Sequence, residues 1–254
     1  MRRLAIALVC GLFAALAVGD ITNEYVRATR VIDGAGYFSN QCVTKSAYEN
    51  LVGAWTADFP VQDVGTTNAV WLGWSLEHND GIQTTITNQP TRTRVDGTWV
   101  WDFDGASDNI GTAYAGNPDD FRLTVRFKPD AIPAASSGYI ATQYDAAVSK
   151  RMWALSQRTS SDDGVLRFYT SDDGTALSIA YIAQADISAN MATYVLTKNG
   201  GTLTCTIDGD TVTVSGSVKN TLADKSASLT IGASATPSAQ FAGQIEYVIF
   251  EVLD

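Results

Sequence analysis

The chain has 254 residues, of which 45% are hydrophobic and 17% are charged, with 21 Gly and 6 Pro. This composition excludes collagen-like, low-complexity and intrinsically disordered chains, because it holds enough apolar material for a folded core. The formal net charge is −10, and the only adjacent basic pairs are Arg2-Arg3 and Lys150-Arg151. Nucleic acid is therefore not an expected partner, since an acidic surface repels phosphate.

The acidic residues are 22 Asp and only 5 Glu. Asp belongs with Gly and Asn in turns, because its short side chain accepts hydrogen bonds from nearby backbone. Thr, Ser, Val and aromatic residues fill the stretches between these turns, and this is typical of strands. The composition predicts an acidic all-β protein.

The N-terminus has the pattern of a secretory signal over residues 1–19. Arg2 and Arg3 precede an apolar stretch of 15 residues, Leu4–Val18, and its end offers small residues at the expected cleavage positions, in Ala15-Leu16-Ala17 or Ala17-Val18-Gly19. The stretch is short for a spanning helix, which needs roughly 20 apolar residues. We therefore expect a cleaved signal, with a retained membrane anchor or an apolar arm buried in an assembly as alternatives.

The three cysteines are Cys10, Cys42 and Cys205. Removal of the signal would leave Cys42 and Cys205, which could pair in an oxidising compartment. Cys205, however, lies on the apolar phase of an alternating strand, where a buried thiol is ordinary. The thiol is the favoured reading, and the disulfide stays open.

Residues 20–50 lack a clear period and are predicted to form an arm or linker. From Leu51 onward, short strands alternate with turn signals, as they do in β-sandwiches. The clearest strand is Phe121–Lys128, in which apolar and polar residues alternate over eight positions, so that one face lies in the core. Asn199-Gly-Gly201 and Asp208-Gly-Asp210 predict hairpin turns, because these residues tolerate positive φ.

The order of these motifs over residues 51–254 resembles the laminin-G-like, concanavalin A-like family found in bacterial surface proteins and phage virion proteins. The motifs that carry the resemblance are Leu51-Val-Gly-Ala-Trp55, Trp101-Asp-Phe103-Asp-Gly105-Ala-Ser-Asp108, Phe121–Lys128 with Pro129-Asp130, Tyr194–Lys198 with Leu203–Ile207 and Asp208-Gly209, Leu229-Thr-Ile231-Gly232, and Phe241-Ala-Gly243-Gln-Ile-Glu246-Tyr-Val-Ile-Phe250. The resemblance implies an all-β, two-sheet antiparallel jelly-roll sandwich, here preceded by a short N-terminal arm. It does not fix a function, because this fold carries lectins, glycanases and adhesion modules.

Enzymatic activity is not expected. The one histidine, His78, lies in a polar run, no Gly-x-Ser-x-Gly elbow is present, and zinc sites need more His or Cys ligands than the chain holds. The paired carboxylates of concanavalin A-like glucanases have no counterpart string here. Glu246 and Glu251 are five residues apart on one strand, which predicts opposite faces. A glycan-active hydrolase is kept as a further alternative.

Calcium is the one cofactor that the sequence suggests. Asp102, Asp104 and Asp108 concentrate three carboxylates at a strand end, and Ca²⁺ takes six to eight oxygen ligands. Laminin-G-like domains often bind calcium at a rim, so the resemblance favours this turn. The competing reading is a solvated acidic turn. Asn117-Pro-Asp119-Asp120 is a weaker second candidate.

Carbohydrate binding would use exposed aromatic and polar side chains. Trp99, Trp101 and Trp153 fall in apolar phases and are expected in the core. Tyr169 shares the polar phase of its strand with Arg167, which predicts an exposed pair. Trp71 and Trp74 precede His78 and could line a rim. For each aromatic, packing in the core or at the rim competes with ligand contact.

The favoured function is non-enzymatic recognition at a surface, with a cell-surface glycan as the partner and rim loops as the site. The alternative is a structural virion protein of a tailed phage, such as a decoration, fibre or receptor-binding component. Its N-terminal arm would dock onto neighbouring structural subunits. The expected location is accordingly extracellular or at the cell surface, or else in a virion, and a membrane is involved only if residues 1–19 are retained.

Overall fold

The computed structural model describes eleven stretches of the chain. They are 25–26, 43–44, 51–57, 69–71, 79–130, 138–145, 150–157, 166–183, 190–224, 226–234 and 239–253. The chain divides into two compact units, Met1–Asn50 and Leu51–Asp254. In the first unit, the described residues are two short strands, β1 (Tyr25–Val26) and β2 (Val43–Thr44), which pair antiparallel. The expected signal segment and most of the arm lie outside the described residues.

The second unit contains seventeen described strands and one 3₁₀ helix, Ile86–Asn88, and its described residues include no α-helix. The strands are β3 (Leu51–Thr56), β4 (Ala69–Trp71), β5 (Gly81–Gln83), β6 (Thr91–Val95), β7 (Thr98–Asp104), β8 (Ile110–Thr112), β9 (Phe121–Pro129), β10 (Gly138–Asp145), β11 (Lys150–Gln157), β12 (Leu166–Thr170), β13 (Ser178–Ile182), β14 (Ala192–Asn199), β15 (Thr202–Ile207), β16 (Asp210–Val212), β17 (Val214–Gly216), β18 (Thr230–Ile231) and β19 (Ala242–Val252).

These strands form two antiparallel sheets. The nine-stranded sheet has the order β17-β13-β12-β11-β10-β18-β8-β5-β4, and the eight-stranded sheet has the order β16-β15-β14-β9-β19-β7-β6, with β3 also paired to β19. Strand β19 lies beside β9 along its length and is flanked on its other edge by β7 and β3 in turn. The prediction of an all-β, two-sheet antiparallel sandwich is confirmed.

The core lies between the two sheets, and alternation along the strands fills it. In β9, Phe121, Leu123, Val125 and Phe127 are buried, while the residues between them are half-buried or exposed. This is the pattern that period 2 predicts for a strand with one wet face. The fold therefore rests on the periodicity that the sequence shows most clearly.

Aromatic rings occupy the centre of this core. Trp153 from the nine-stranded sheet stacks on Phe250 from the eight-stranded sheet, with ring centroids 5.4 Å apart and an interplanar angle of 8°. The centroid of the Phe121 ring lies 5.0 Å from that of the Trp153 ring and 4.9 Å from that of the Phe250 ring. Such contacts add roughly 0.5–1.5 kcal/mol each beyond the burial of area. These ring contacts therefore link the two sheets across the interior of the sandwich.

Most of the aromatic placements follow the strand phases. Trp101 and Trp153 are fully buried, as predicted, whereas Trp99 is half-buried. The Trp99 ring packs against the core. The guanidinium carbon of Arg92 lies over the face of this ring, 4.1 Å from its centroid. The side chain of Cys205 is a buried thiol, in agreement with the favoured reading; Cys42 lies outside the described residues.

Two predicted turns have the backbone geometry that their residues favour. Asp208 and Gly209 between β15 and β16 have φ of 50° and 95°. These values match the positive φ that a two-residue hairpin turn requires at both positions. Gly200, in the turn between β14 and β15, also has positive φ, at 53°. Among the described residues, no helix is long and apolar enough to cross a membrane.

Candidate functional site

The outward face of the nine-stranded sheet carries a row of side chains that crosses four strands. Tyr139 on β10 is opposite Ser156 on β11, Ser156 is opposite Arg167 on β12, and Arg167 is opposite Tyr181 on β13. Neighbouring strands lie about 4.8 Å apart, so the row extends about 14 Å across the sheet. The two tyrosines at its ends are half-buried, while Ser156 and Arg167 between them are buried.

A second apolar cluster lies beside this row on the same face. Tyr144, Ala154 and Tyr169 form it, and Tyr139 and Ile179 are among the partly buried residues packed against it. The Tyr139 and Tyr144 rings stack with centroids 5.5 Å apart and an interplanar angle of 30°. The outward face of this sheet is therefore rich in aromatic rings, independently of the main core.

Two arginines lie against these rings. The guanidinium carbon of Arg151 is 5.7 Å from the centre of the Tyr144 ring, and that of Arg167 is 5.2 Å from the centre of the Tyr181 ring. A guanidinium stacked on a ring keeps its in-plane N–H groups available for acceptors. We call Tyr139, Tyr144, Arg151, Arg167, Tyr169 and Tyr181 together the tyrosine–arginine face.

The predicted ligand residues are only partly brought together. Arg167 and Tyr169 do share the outward face of β12, but the expected exposure of this pair is wrong, since only 7% of each residue is accessible. The reason is that the outward face carries its own apolar cluster. The residues of β12 that alternate with the core residues are therefore packed against other side chains instead of facing solvent. Trp71 is on β4, six strands from β12, which corresponds to about 29 Å across the sheet. The side chain of Trp71 and all of Trp74 lie outside the described residues.

Four members of the face were not predicted from the sequence: Tyr139, Tyr144, Arg151 and Tyr181. Strand β10 has register shifts between Tyr139 and Ala141 and between Gln143 and Tyr144, so a simple alternation misassigns its faces. The outward position of Tyr181 could have been predicted, because Tyr181 lies between Ala180 and Ile182, which are buried on the opposite face of β13. The sequence gives no direct signal for which strands lie side by side.

The acidic turn after β7 is held together by its own carboxylates. One oxygen of Asp104, Oδ1, accepts the backbone N–H groups of Ala106 and Ser107 at 2.8 and 2.9 Å, and that of Asp108 at 3.2 Å. Asp108 Oδ2 accepts the backbone N–H of Asp104 at 2.9 Å. These bonds are those of an Asx-type turn, in which a short acidic side chain satisfies the backbone.

The three aspartates have different protonation behaviour. Burial raises the pKa of Asp108 to about 6, and the neighbouring charges of Asp104 and Asp102 add to this rise. Burial also raises the pKa of Asp102, with a contribution from Asp130. For Asp104, burial acts to raise the pKa, but the backbone N–H groups that it accepts outweigh this effect and lower it.

The described residues contain no group of three His, Cys, Asp or Glu side chains placed to hold a metal ion. The carboxylates of Asp104 and Asp108 already accept backbone hydrogen bonds, so they are not arranged as a ready set of cation ligands. Calcium binding by Asp102, Asp104 and Asp108 stays a prediction.

Glu246 and Glu251 lie on one face of β19, and the prediction of opposite faces is wrong. Glu246 Oε2 accepts the Nε–H of Arg126 at 2.7 Å, and Glu251 lies 3.7 Å from Arg122. Both arginines are on the outward phase of β9. A register shift between Ile245 and Tyr247 inserts one residue into β19, which reverses the phase of everything after it.

A buried ammonium group lies at one end of the sandwich. The side chain of Lys198 has no solvent exposure, and its Nζ donates to the carbonyl oxygens of Asp119, Gly200 and Asn220 at 2.5, 3.1 and 3.0 Å. Asp120 Oδ1 lies 3.5 Å from the same nitrogen and accepts the backbone N–H of Gly200. Part of the segment that was the weaker calcium candidate thus surrounds a lysine.

No protein-family model matches this chain, and no curated protein matches it. Solved structures do share its fold. Domain 4 of the extracellular arabinanase AbnA from Geobacillus stearothermophilus, in complex with arabinotriose, has a TM-score of 0.53 and 9% identity, over 80% of this chain and 92% of that chain. The binding domain of Paraclostridial Mosquitocidal Protein 1 has a TM-score of 0.56 and 12% identity, over 82% of this chain and 50% of that chain.

A third similar structure is the Trypanosoma rangeli sialidase in complex with 2,3-difluoro-KDN, with a TM-score of 0.51 and 15% identity, over 99% of this chain and 38% of that chain. The chain thus spans well under two thirds of the sialidase and mosquitocidal chains. At these identities the likeness shows the fold, a β-sandwich that recurs in glycan-binding and glycan-active proteins.

The prediction that the chain is not an enzyme is overturned by these structures. The same sandwich occurs within chains described as an arabinanase and a sialidase. The small number of histidines and the lack of a glucanase-type carboxylate string therefore do not exclude catalysis, because they address only a few of the mechanisms that such chains use.

Proposed function

We propose that residues 51–254 form a glycan-binding domain that holds an oligosaccharide across the tyrosine–arginine face. The observation that carries this proposal is the row Tyr139–Ser156–Arg167–Tyr181, which crosses four strands with a tyrosine ring at each end. Aromatic rings stack on sugar faces, and nearby polar groups fix the orientation of the ligand. The arabinotriose bound by a similar domain supports the same class of ligand.

The proposal extends to the setting of the protein. The partner is a glycan at a cell surface or in the extracellular space, and the location is correspondingly extracellular. The laminin-G-like identity belongs to the same proposal, and the order of the strand motifs supports it. The site that we propose lies on the sheet face rather than on the rim loops, because the face is where the aromatic and cationic side chains converge.

The virion alternative stays a prediction. It depends on an N-terminal arm that docks onto neighbouring subunits, and residues 1–50 are described only at Tyr25–Val26 and Val43–Thr44. Mass spectrometry of the natural protein distinguishes the two settings. A chain that begins at Val18 or Asp20 contradicts the retained arm, whereas an intact Met1 or Arg2 in a particle contradicts secretion.

Two substitutions test the glycan site. Tyr139→Ala and Tyr181→Ala each remove one half-buried ring at an end of the row, and each is expected to weaken binding about tenfold, because one stacking contact contributes on the order of 1 kcal/mol beyond its area. A glycan array with the unchanged domain identifies the ligand, and calorimetry then measures the variants.

Tyr247→Ala is the matched control. Tyr247 is also half-buried on a sheet, but it belongs to the eight-stranded sheet, where its hydroxyl lies 3.3 Å from Thr193 Oγ1. Its loss should leave glycan affinity unchanged. Equal weakening by all three substitutions, or none by Tyr139→Ala and Tyr181→Ala, contradicts the proposed site.

A further inference from the structure

The charge of the tyrosine–arginine face differs from that of the whole chain. The formal net charge of the chain is −10, yet the charged members of this face are the two cations Arg151 and Arg167. Among the described residues of β10 to β13, the one carboxylate is that of Asp145, which is opposite Lys150 at the end of the hairpin. Two cations on described strands that hold one carboxylate favour an anionic ligand at this place.

The carboxylates in the neighbouring loop are already engaged. Asp172 forms an ion pair with Lys219 at 3.1 Å. Asp173 Oδ1 accepts the backbone N–H groups of Thr175 and Ala176 at 2.7 and 2.8 Å. Both carboxylates are therefore already held by groups other than Arg151.

Arg151 retains unused hydrogen-bonding capacity. Its Nη1 donates to the carbonyl oxygen of Thr175 at 2.8 Å, but its Nε is buried without an acceptor. The hydroxyl of Ser156, on the same strand, is also buried without a partner in the described structure. Both atoms are buried, so a ligand on this face would meet the outer N–H groups of the half-buried Arg151 guanidinium rather than these two atoms.

Building on the proposed function, we propose that the glycan held here is acidic, and that Arg151 and Arg167 select a sugar that carries a carboxylate. The guanidinium fork matches the two oxygens of a carboxylate, and it remains charged at every physiological pH. Half-buried Arg151 receives the carboxylate first, while Arg167, stacked on Tyr181 deeper in the face, contributes mainly through its charge. The rings of Tyr139 and Tyr181 bind the sugar planes.

A pair of ligands that differ in charge and by one methyl group per carboxylate tests this inference on the unchanged chain. Calorimetry compares trigalacturonic acid with its methyl ester at the same ionic strength. We expect at least about tenfold tighter binding of the acid, and a steady loss of this preference as salt is raised, because partly exposed charges are screened. Equal affinity for acid and ester overturns the inference.

Substitutions then show which arginine is responsible for the preference for the acid. Arg151→Gln should abolish most of the preference for the acid, and Arg151→Lys should keep part of it, because lysine retains the charge but not the fork. Arg122→Gln is the matched control, since it removes one positive charge from the outward face of the other sheet, where Arg122 pairs with Glu251. A preference that survives Arg151→Gln, or that falls equally with Arg122→Gln, overturns the assignment to this face.

The outcomes separate this inference from the proposal on which it rests. Binding of neutral glycans that weakens with Tyr139→Ala but is indifferent to the carboxylate removes the inference and leaves the glycan site. Lack of binding to every glycan on the array removes both. Circular dichroism melts of each variant show whether lost binding reflects lost folding.

Discussion

Lys198 shows at the scale of one residue how far a side chain can depart from what its type suggests. Lysine is almost never fully buried unless its charge is compensated. Here three carbonyl oxygens and one carboxylate surround the ammonium group, from segments that are up to 79 positions away along the chain. Burial lowers the pKa of Lys198, and Asp120 opposes this shift. The sequence places Lys198 at a strand end but contains no sign of this convergence.

Replacement of Lys198 by methionine should lower stability markedly. Lys198→Met keeps the length of the side chain but leaves three carbonyl oxygens without their donor, and we expect a loss of about 3 kcal/mol. For a domain of this size, that corresponds to a fall of about 6–12 °C in Tm, measured by calorimetry.

Lys219→Met is the control for this change, because it breaks an ion pair with Asp172 whose two side chains are substantially solvent-exposed. Such pairs contribute at most about 1 kcal/mol. If Lys198→Met melts within about 2 °C of the parent, the ammonium group does not hold the three segments together.

Asp108 should make stability depend on pH in a direction opposite to that of most aspartates. Its folded-state pKa of about 6 lies above the ordinary value of 3.8, so the folded protein favours the neutral form. The ionised side chain therefore destabilises the fold above about pH 6, and this penalty disappears as the pH falls toward 4. Asp108→Asn should raise Tm by about 2 °C or more at pH 8 and change it little at pH 4.

Asp104→Asn provides the control with the opposite sign. The pKa of Asp104 is lowered in the fold, so its ionised form stabilises the protein, and the substitution should reduce Tm at pH 8 but much less near pH 2. The same melts with calcium chloride or with chelator test the calcium prediction for this turn. A fall in Tm with Asp108→Asn at pH 8 contradicts the expected penalty of the buried charge.

At the scale of one element, regular strands were predictable and interrupted ones were not. Strand β9 agrees with its sequence alternation throughout, because every second residue packs into the core. Strands β10 and β19 contain register shifts, and these reverse the faces of Tyr144 and Glu251 relative to a simple count. A bulge leaves little trace in composition, so its position follows from pairing with neighbours that the sequence alone does not identify.

Gly232, just after β18, shows why one glycine in this fold cannot be replaced. Its φ is +81°, and a Cβ added there would lie 2.1 Å from Cε1 of the buried Phe103. Gly97, in the turn between β6 and β7, has a similar φ of +89° but no atom within 4 Å of an added Cβ. The two positions therefore share backbone strain and differ in packing.

The two alanine substitutions should separate these effects. Gly97→Ala is expected to cost about 1 kcal/mol through the unfavourable φ alone. Gly232→Ala should cost about 2 kcal/mol more, because the core at Phe103 must shift to admit the methyl group. Chemical denaturation of both variants measures the difference, and equal losses would mean that the core near Phe103 yields easily.

At the scale of the whole molecule, composition and turn chemistry predicted the class of fold and the approximate positions of many strands. They did not predict that β18 lies between β10 and β8, or that β17 completes the edge beside β13. These neighbours are far apart in sequence, and pairing between them depends on how both sheets close around the aromatic core. The same limitation hid the tyrosine–arginine face, which assembles only when four strands align.

The central place of β19 has a consequence for how the domain is made. This strand is the last of the described strands along the sequence, yet it joins β9, β7 and β3, which emerge from the ribosome much earlier. The eight-stranded sheet therefore cannot close until residues 242–252 have been synthesised. Until then the backbone edges of β9 and β7 that pair with β19 have no partner, so we expect folding of this sheet to be slow, as for sheets built from distant pairings.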